Sequence, residues 1–149
     1  MDPASIVLGV VGGAAALAAL AVKTIKFLVE LQDTHKDAAL ILWDLRVACH
    51  ALEGAWNGIR AWIAGQNGKA GQAGSIFEQL LNHLEYCRIA MENLQVDLNK
   101  WNLKTRPKWR LGQLKKARVV VHESTLRSHC DRLNHLIGSV SLLLATAKL

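Results

Sequence analysis

The chain has 149 residues, of which 51% are hydrophobic, and a formal net charge of +6. This length and apolar content suffice for one domain with its own core and argue against intrinsic disorder. Two prolines and little strand-like alternation indicate an all-α protein. Three widely spaced cysteines, without C-x-x-C spacing, argue against a disulfide framework and favour reduced thiols in a cytoplasmic protein.

The first predicted helix covers residues 4–31 and follows Asp2-Pro3, a suitable cap and first helical residue. From Ala4 to Val22 the segment has no charge, amide or aromatic ring. A signal peptide is disfavoured because no positive charge precedes the apolar segment, whereas Lys23 follows it. Its length as a helix is roughly 28 Å, close to the ~30 Å of a bilayer core. A membrane span and a buried bundle helix therefore both remain open.

The side chains of this segment are small. We identify seven larger apolar residues as candidates for membrane insertion: Ile6, Val7, Leu8, Val10, Val11, Leu17 and Leu20. Gly9 and Gly13 form a G-x-x-x-G motif, with Gly12 beside them, which permits close approach of another helix. A helix that is apolar all round but small suits the interior of a bundle, which we expect for the resting state.

The rest of the chain shows apolar stripes at helical spacing. They predict helices over residues 34–64, 75–102 and 124–147, with a Gly-rich loop at 65–74 and a short basic helix at 108–119. Capping-box spacings at Thr34 and Ser75 mark two of the helix starts. We therefore expect a single domain over residues 1–149, an all-α helix bundle of four long amphipathic helices plus one short basic helix.

A basic segment precedes the last predicted helix and contains no acidic residue. Its candidate contacts to anionic lipid are Lys100, Lys104, Arg106, Lys108, Trp109, Arg110, Lys115, Lys116 and Arg118. Three interpretations stay open: a solvated corner between helices, a surface for anionic lipid headgroups, and a nucleic-acid site, which we rank last.

An enzyme is not predicted, because the motifs of phosphate binding, zinc proteolysis and serine hydrolysis are missing. His83 with Cys87, and Cys130 with His135, match structural zinc sites only loosely. Cysteines on an apolar stripe are more often small core residues. We predict no metal and no cofactor.

Two segments resemble a known family. The opening MDPASIVLGVVGGAAALAALAVKTIKFLVELQDTHKDA resembles the start of the fungal HeLo-like domains, including those at the head of STAND-type NOD-like (NACHT) proteins. HESTLRSHCDRLNHLIGSV is similar to the final helix of that family. The resemblance implies an all-α bundle acting in regulated cell death, similar in logic to the four-helix executioner domain of necroptosis.

The resemblance also implies a mechanism. A NOD-like sensor or amyloid-like signal would oligomerise a cytoplasmic protein, whose helix from Ala4 to Val22 would then enter the plasma membrane. We therefore expect a membrane-targeting effector whose partners are anionic lipids and other copies of itself. The alternative is a homotypic interaction and signalling module that oligomerises without insertion, for which Gly54 and Gly58 offer a second close helix contact.

Overall fold

A computed structural model of the chain describes residues 3–66, 74–100 and 111–149. It contains four α-helices: α1 (Pro3–Thr34), α2 (Ala39–Gly65), α3 (Gly74–Asn99) and α4 (Leu111–Ala147). A 3-10 helix, Lys36–Ala38, joins α1 to α2. No strand occurs within these three ranges, so the all-α fold is confirmed.

The short basic helix predicted for residues 108–119 is wrong. Residues 108–110 lie outside the described part of the chain, and from Leu111 onward one continuous helix, α4, runs to Ala147. The sequence around Ser124 and Thr125 suggested a new helix start, yet these residues lie inside α4, where the Ser128 hydroxyl donates to the Ser124 carbonyl. Because a serine or threonine costs a helix interior only a few tenths of a kcal/mol, neither residue ends the helix.

The break between the first two helices lies slightly later than expected. We predicted a turn near Asp33 with Thr34 capping the second helix, but α1 continues to Thr34 and α2 begins at Ala39. The Thr34 hydroxyl donates to the Glu30 carbonyl, one turn back, and so belongs to the end of α1.

The helices form a bundle in which α1 and α4 each pack against both α2 and α3. Gly9 of α1 lies beside Leu81 of α3, and Thr24 lies further along beside Gln95, so these neighbouring helices are parallel. The order around the bundle is therefore α1, α2, α4, α3. The α2–α3 connection joins helices at opposite corners of the bundle, whose side chains still meet across the core.

The core is built from the predicted stripes. Trp56 of α2 is completely buried near the middle of the helix, and Trp62 stacks on Phe77 of α3 with ring centroids 5.7 Å apart. All seven predicted stripe residues of α2 from Leu42 to Ile63 are buried: Leu42, Leu45, Cys49, Leu52, Trp56, Ile59 and Ile63. The same spacing therefore identified the packing face of this helix correctly.

The three cysteines are free thiols in the core. Cys49, Cys87 and Cys130 are all buried. Burial raises the pKa of Cys49 to about 12 and that of Cys87 to about 11. Because the thiolate is the reactive form, burial disfavours reaction at these thiols in the folded protein.

Among the described residues, polar side chains connect α3 to α4 at the Asp97–His129 pair. The Asp97 carboxylate of α3 lies 2.6 Å from Nε2 of His129 on α4, which is buried. The Lys100 ammonium lies 3.0 Å from the other Asp97 oxygen. The hydrogen bond from His129, and to a lesser extent Lys100, lowers the pKa of Asp97 below its ordinary 3.8. The folded state therefore favours the ionised carboxylate.

This lowered pKa makes stability depend on pH. The contribution of Asp97 is fully present above its ordinary pKa of 3.8 and is lost as the pH falls through the lower folded value. We expect Asp97→Asn to reduce the free energy of unfolding at pH 6 by about 1–2 kcal/mol, and the difference from the wild type to shrink in acid. Urea unfolding at a series of pH values measures both quantities.

The control for this prediction is Asp33→Asn, at an exposed carboxyl near the end of α1. Its effect on stability is expected to be within about 0.5 kcal/mol at every pH. A difference between Asp97→Asn and the wild type that stays constant down to pH 2 would contradict the assignment.

Candidate functional site

The candidate functional element of this bundle is its first helix, α1. Residues 6–22 of α1 have no polar side chain, so this stretch is held in the bundle by apolar packing alone. The hydrogen bonds from α1 side chains to other elements begin later, at Thr24 and Gln32. The helix therefore has a purely apolar N-terminal part and a hydrogen-bonded C-terminal part.

The predicted insertion residues occupy every side of the helix. Ile6, Val10 and Leu17 are buried, and Val7, Val11 and Leu20 are half-buried. Leu8 is 71% exposed. The remaining exposed positions of the segment carry only small residues, such as Ala16. The outward face is therefore apolar but offers little bulk to solvent.

Length and composition make α1 compatible with a membrane. Among the described residues, one helix, Ala4–Thr34, is long and apolar enough to cross a bilayer, and 33% of its most apolar 18-residue window is buried. Core helices of soluble proteins also meet these criteria, but a core helix is mostly buried. In this window, positions that are half-buried or exposed outnumber the buried ones.

Two of the three predicted glycines lie at the contact with α3. A Cβ atom at Gly9 would lie 3.3 Å from Cδ2 of Leu81, and one at Gly13 only 2.8 Å from Cδ1 of Leu84. The glycines thus let the leucines of α3 reach the backbone of α1. Gly12 is different, because a Cβ there would have no neighbour within 4 Å.

A groove follows this contact between α1 and α3. Its floor is apolar and includes Ala16, Leu20 and Leu84, and its volume is about 460 Å³. The rim on α3 holds Arg88 between Glu85 and Glu92, with Nη1 of Arg88 2.7 Å from Glu92. The guanidinium lowers the pKa of Glu85. These exposed charges satisfy one another, so the groove itself offers apolar contact and no unpaired cation.

The basic segment is only partly described. Lys100 is exposed and paired with Asp97, whereas Lys104, Arg106, Lys108, Trp109 and Arg110 lie outside the described residues. Lys115, Lys116 and Arg118 belong to the N-terminal third of α4. The structure therefore describes one charged contact of this segment, that of Lys100.

The predicted metal-ligand candidates do not come together. Among the described residues, no group of three or more histidine, cysteine, aspartate or glutamate residues is placed to hold a metal ion. Cys87 and Cys130 are core residues, and Nδ1 of His83 lies 2.9 Å from the Gln79 carbonyl of its own helix.

Gly54 and Gly58 do not form one close contact. Gly58 makes an ordinary contact with Leu144 of α4, and Gly54 has no neighbour within 4 Å of its Cβ position. Sequence reasoning missed three exposed apolar side chains on the same helix, Leu40, Trp43 and Val47. They recur at the same three-and-four spacing as the buried stripe of α2 but on another side of the helix, and this second stripe was the signal that could have found them.

The geometry at Gly12 and Gly13 leads to a test. Gly12→Ala is expected to raise the free energy of unfolding by about 0.5–1 kcal/mol, since alanine is the better helix former and meets no neighbour. Gly13→Ala is expected to gain less, because the buried Leu84 side chain must move. Urea unfolding of both variants gives the two values.

Larger side chains at the same positions sharpen the comparison. Gly13→Leu is expected to lose about 1–3 kcal/mol by overpacking against α3, and Gly12→Leu to be neutral or stabilising. Equal effects at the two positions would show that α1 does not pack closely on α3 at Gly13.

The chain was compared with family models, curated proteins and solved structures. No family model, curated protein or solved structure matches it. The likeness to HeLo-like domains thus depends on the quoted sequence segments and stays a prediction.

Proposed function

We propose that this chain is a membrane-targeting, oligomerising effector domain of the HeLo-like kind, acting in fungal regulated cell death such as heterokaryon incompatibility or NOD-like immunity. The resting bundle is cytoplasmic, and on activation the apolar part of α1 enters the plasma membrane. The observation that carries this proposal is a helical segment, residues 6–22 of α1, that is apolar on every side and yet only about one third fully buried.

The energetics of release favour this assignment. On insertion, exposed apolar positions such as Leu8 move from water into hydrocarbon, at roughly 25 cal/mol for each Å² buried. The buried positions exchange one apolar environment for another. No hydrogen bond from residues 6–22 side chains has to be broken, because these side chains are apolar. The cost is the apolar surface uncovered on α2 and α3.

Oligomerisation offsets that cost. When α1 leaves, Leu81 and Leu84 of α3 lose their contacts with the glycines and face water. Other copies of the chain can cover this surface, which couples insertion to assembly. An upstream NOD-like or amyloid-signalling sensor would supply the first contact between copies.

Anionic lipid is the proposed membrane partner. The segment from Lys100 to Arg118 holds eight basic residues and no acidic one. Each lysine or arginine near an anionic surface contributes about 1 kcal/mol at physiological ionic strength. Nucleic acid ranks well below lipid as a partner of this segment.

A homotypic interaction module without membrane insertion is the second candidate. It is favoured by the exposed apolar residues of α2, among them Trp43. Under this function the oligomer would remain in the soluble fraction when anionic vesicles are floated on a density gradient. Under the first function it would float with them.

The exposure of Leu8 provides a variant that separates folding from insertion. Leu8→Asp places a charge on a solvated surface of the resting bundle, and we expect its stability to change by no more than about 0.5 kcal/mol. In a bilayer a charge costs up to about 2.5–3.5 kcal/mol, the value for the centre of a spanning helix. We expect it to reduce dye leakage from anionic vesicles at least tenfold.

The matched control is Leu142→Asp on α4, where the leucine is 69% exposed. This variant is expected to cause dye leakage from anionic vesicles at the wild-type rate. Circular dichroism checks the folding of both variants. If the oligomerised wild type neither binds nor permeabilises the vesicles, the membrane function is refuted. Leakage by Leu8→Asp at the wild-type rate would refute insertion of α1.

The basic segment yields a separate expectation. Replacing Lys104, Arg106 and Lys108 by glutamine is expected to weaken binding to anionic vesicles at least tenfold and to leave binding to neutral vesicles unchanged. Vesicle flotation at two salt concentrations measures this, because screening weakens the wild-type interaction in the same way. Salt-independent binding would assign the segment another role.

A further inference from the structure

A second apolar stripe runs along the outer side of α2. Leu40, Trp43 and Val47 follow one another at helical spacing and are 71, 52 and 52% exposed. The same spacing continues through two small exposed residues, Ala51 and Gly54. The stripe therefore has large side chains in its N-terminal half and small residues in its C-terminal half.

The tryptophan of this stripe is held in place by neighbours. Cζ of Arg46 lies 5.0 Å from the centroid of the Trp43 ring, within cation–π distance. Nη1 of Arg46 in turn donates to Oε1 of Gln32 on α1, at 2.7 Å. A half-exposed tryptophan fixed by an arginine has little side-chain entropy left to lose, and these two residue types dominate binding hot spots.

Gly54 leaves room for a close contact on this face. A glycine in a helix interior costs roughly 0.5–1 kcal/mol relative to alanine. At Gly13 the fold explains the glycine, because Leu84 occupies the space of a Cβ atom. At Gly54, as at Gly12 and Gly138, a Cβ would meet nothing within 4 Å, so the fold of the single chain does not require a glycine there. On the face that carries Leu40 and Trp43, this open space admits the close approach of a second backbone.

The stripe is complementary to itself. In an antiparallel pair of α2 helices with a twofold axis at Val47, positions at equal distance from Val47 face each other. Leu40 then lies opposite Gly54 of the second copy, and Trp43 opposite Ala51, so that each large residue meets a small one. Closed twofold pairs of this kind are the commonest form of soluble oligomer.

We propose that two copies of this chain associate through antiparallel packing of their α2 helices, with Trp43 of each copy over the Ala51–Gly54 segment of the other. One helix face against another buries less than the ~1,600 Å² of a standard interface, so the expected dissociation constant is micromolar. The dimer requires no lipid and is independent of membrane insertion by α1.

Sedimentation velocity of the full chain across the micromolar range tests the proposal without lipid. The wild type is expected to dimerise with concentration. Leu40→Lys and Val47→Lys are each expected to raise the dissociation constant at least tenfold. Leu142→Lys, at an equally exposed leucine of α4, is expected to leave it unchanged. A wild type that stays monomeric, or equal effects of Leu40→Lys and Leu142→Lys, would overturn the proposal.

Gly54→Leu distinguishes the interface from a stability effect. Leucine is a better helix former than glycine and meets no neighbour there, so the thermal stability of the monomer is expected to stay the same or rise. The dissociation constant is nevertheless expected to rise at least tenfold. Gly12→Leu, at another open helical glycine, serves as control and should leave the dimer intact. An unchanged dimer in Gly54→Leu would overturn close packing at this glycine.

Disulfide trapping tests the orientation. The native cysteines are buried, so an introduced surface thiol reacts selectively. Under mild oxidation, a mixture of Leu40→Cys and Gly54→Cys chains is expected to give mainly the mixed covalent dimer. Preferential pairing of Leu40→Cys with itself would instead indicate parallel helices and overturn the antiparallel arrangement.

Discussion

Two neighbours cannot cover a helix that is apolar on every side. Among the described helices, α1 packs mainly against α2 and α3, and α4 lies at the opposite corner. The outward face of α1 must then be tolerated in water, and it is tolerated because alanine and glycine expose little apolar area for each residue. The same small residues let α3 approach closely. Under the proposed function, solubility of the resting bundle and tight packing thus follow from one choice of side-chain size.

This constraint relates the two surfaces discussed above. The insertion segment of α1 is attached by contacts that have no directional component, whereas its C-terminal part is tied to α2 through Gln32 and Arg46. Arg46 also carries the Trp43 ring. The hydrogen-bonded end of α1 thus lies against the proposed dimer face, whereas residues 6–22, which are proposed to insert, have no polar side chain to link them to it.

The helical period of apolar residues predicted well those features that depend on a single helix, such as which of its faces is buried. The buried face of α2 followed from the three-and-four spacing, because burial of an apolar stripe is what drives such a helix to pack. Helix ends were predicted less well, since Thr34 looks like a cap but its hydroxyl bonds backward within its own helix. The same residue type serves both purposes, and the outcome depends on tertiary packing.

Pairings between distant residues could not be predicted in this way. A stripe shows which side of a helix is buried but not against which neighbour, so the parallel packing of α1 on α3 did not follow from the sequence. The Asp97–His129 pair joins two helices, and neither residue lies in a pattern that points to the other. The exposed stripe of α2 was present in the spacing but could be assigned to the surface only once the buried stripe was placed.

The order of helices around the bundle also affects how α1 responds to temperature. An up-down bundle gives each helix two antiparallel neighbours, whose dipoles attract. Here α1 has one antiparallel neighbour, α2, and one parallel neighbour, α3, so the two dipole interactions largely cancel. Little besides apolar burial then attaches residues 6–22 to the bundle. Apolar burial weakens on cooling, because its driving force near room temperature is mainly the entropy of water. The segment that the protein is proposed to release is thus attached mainly by the hydrophobic effect, which weakens at low temperature.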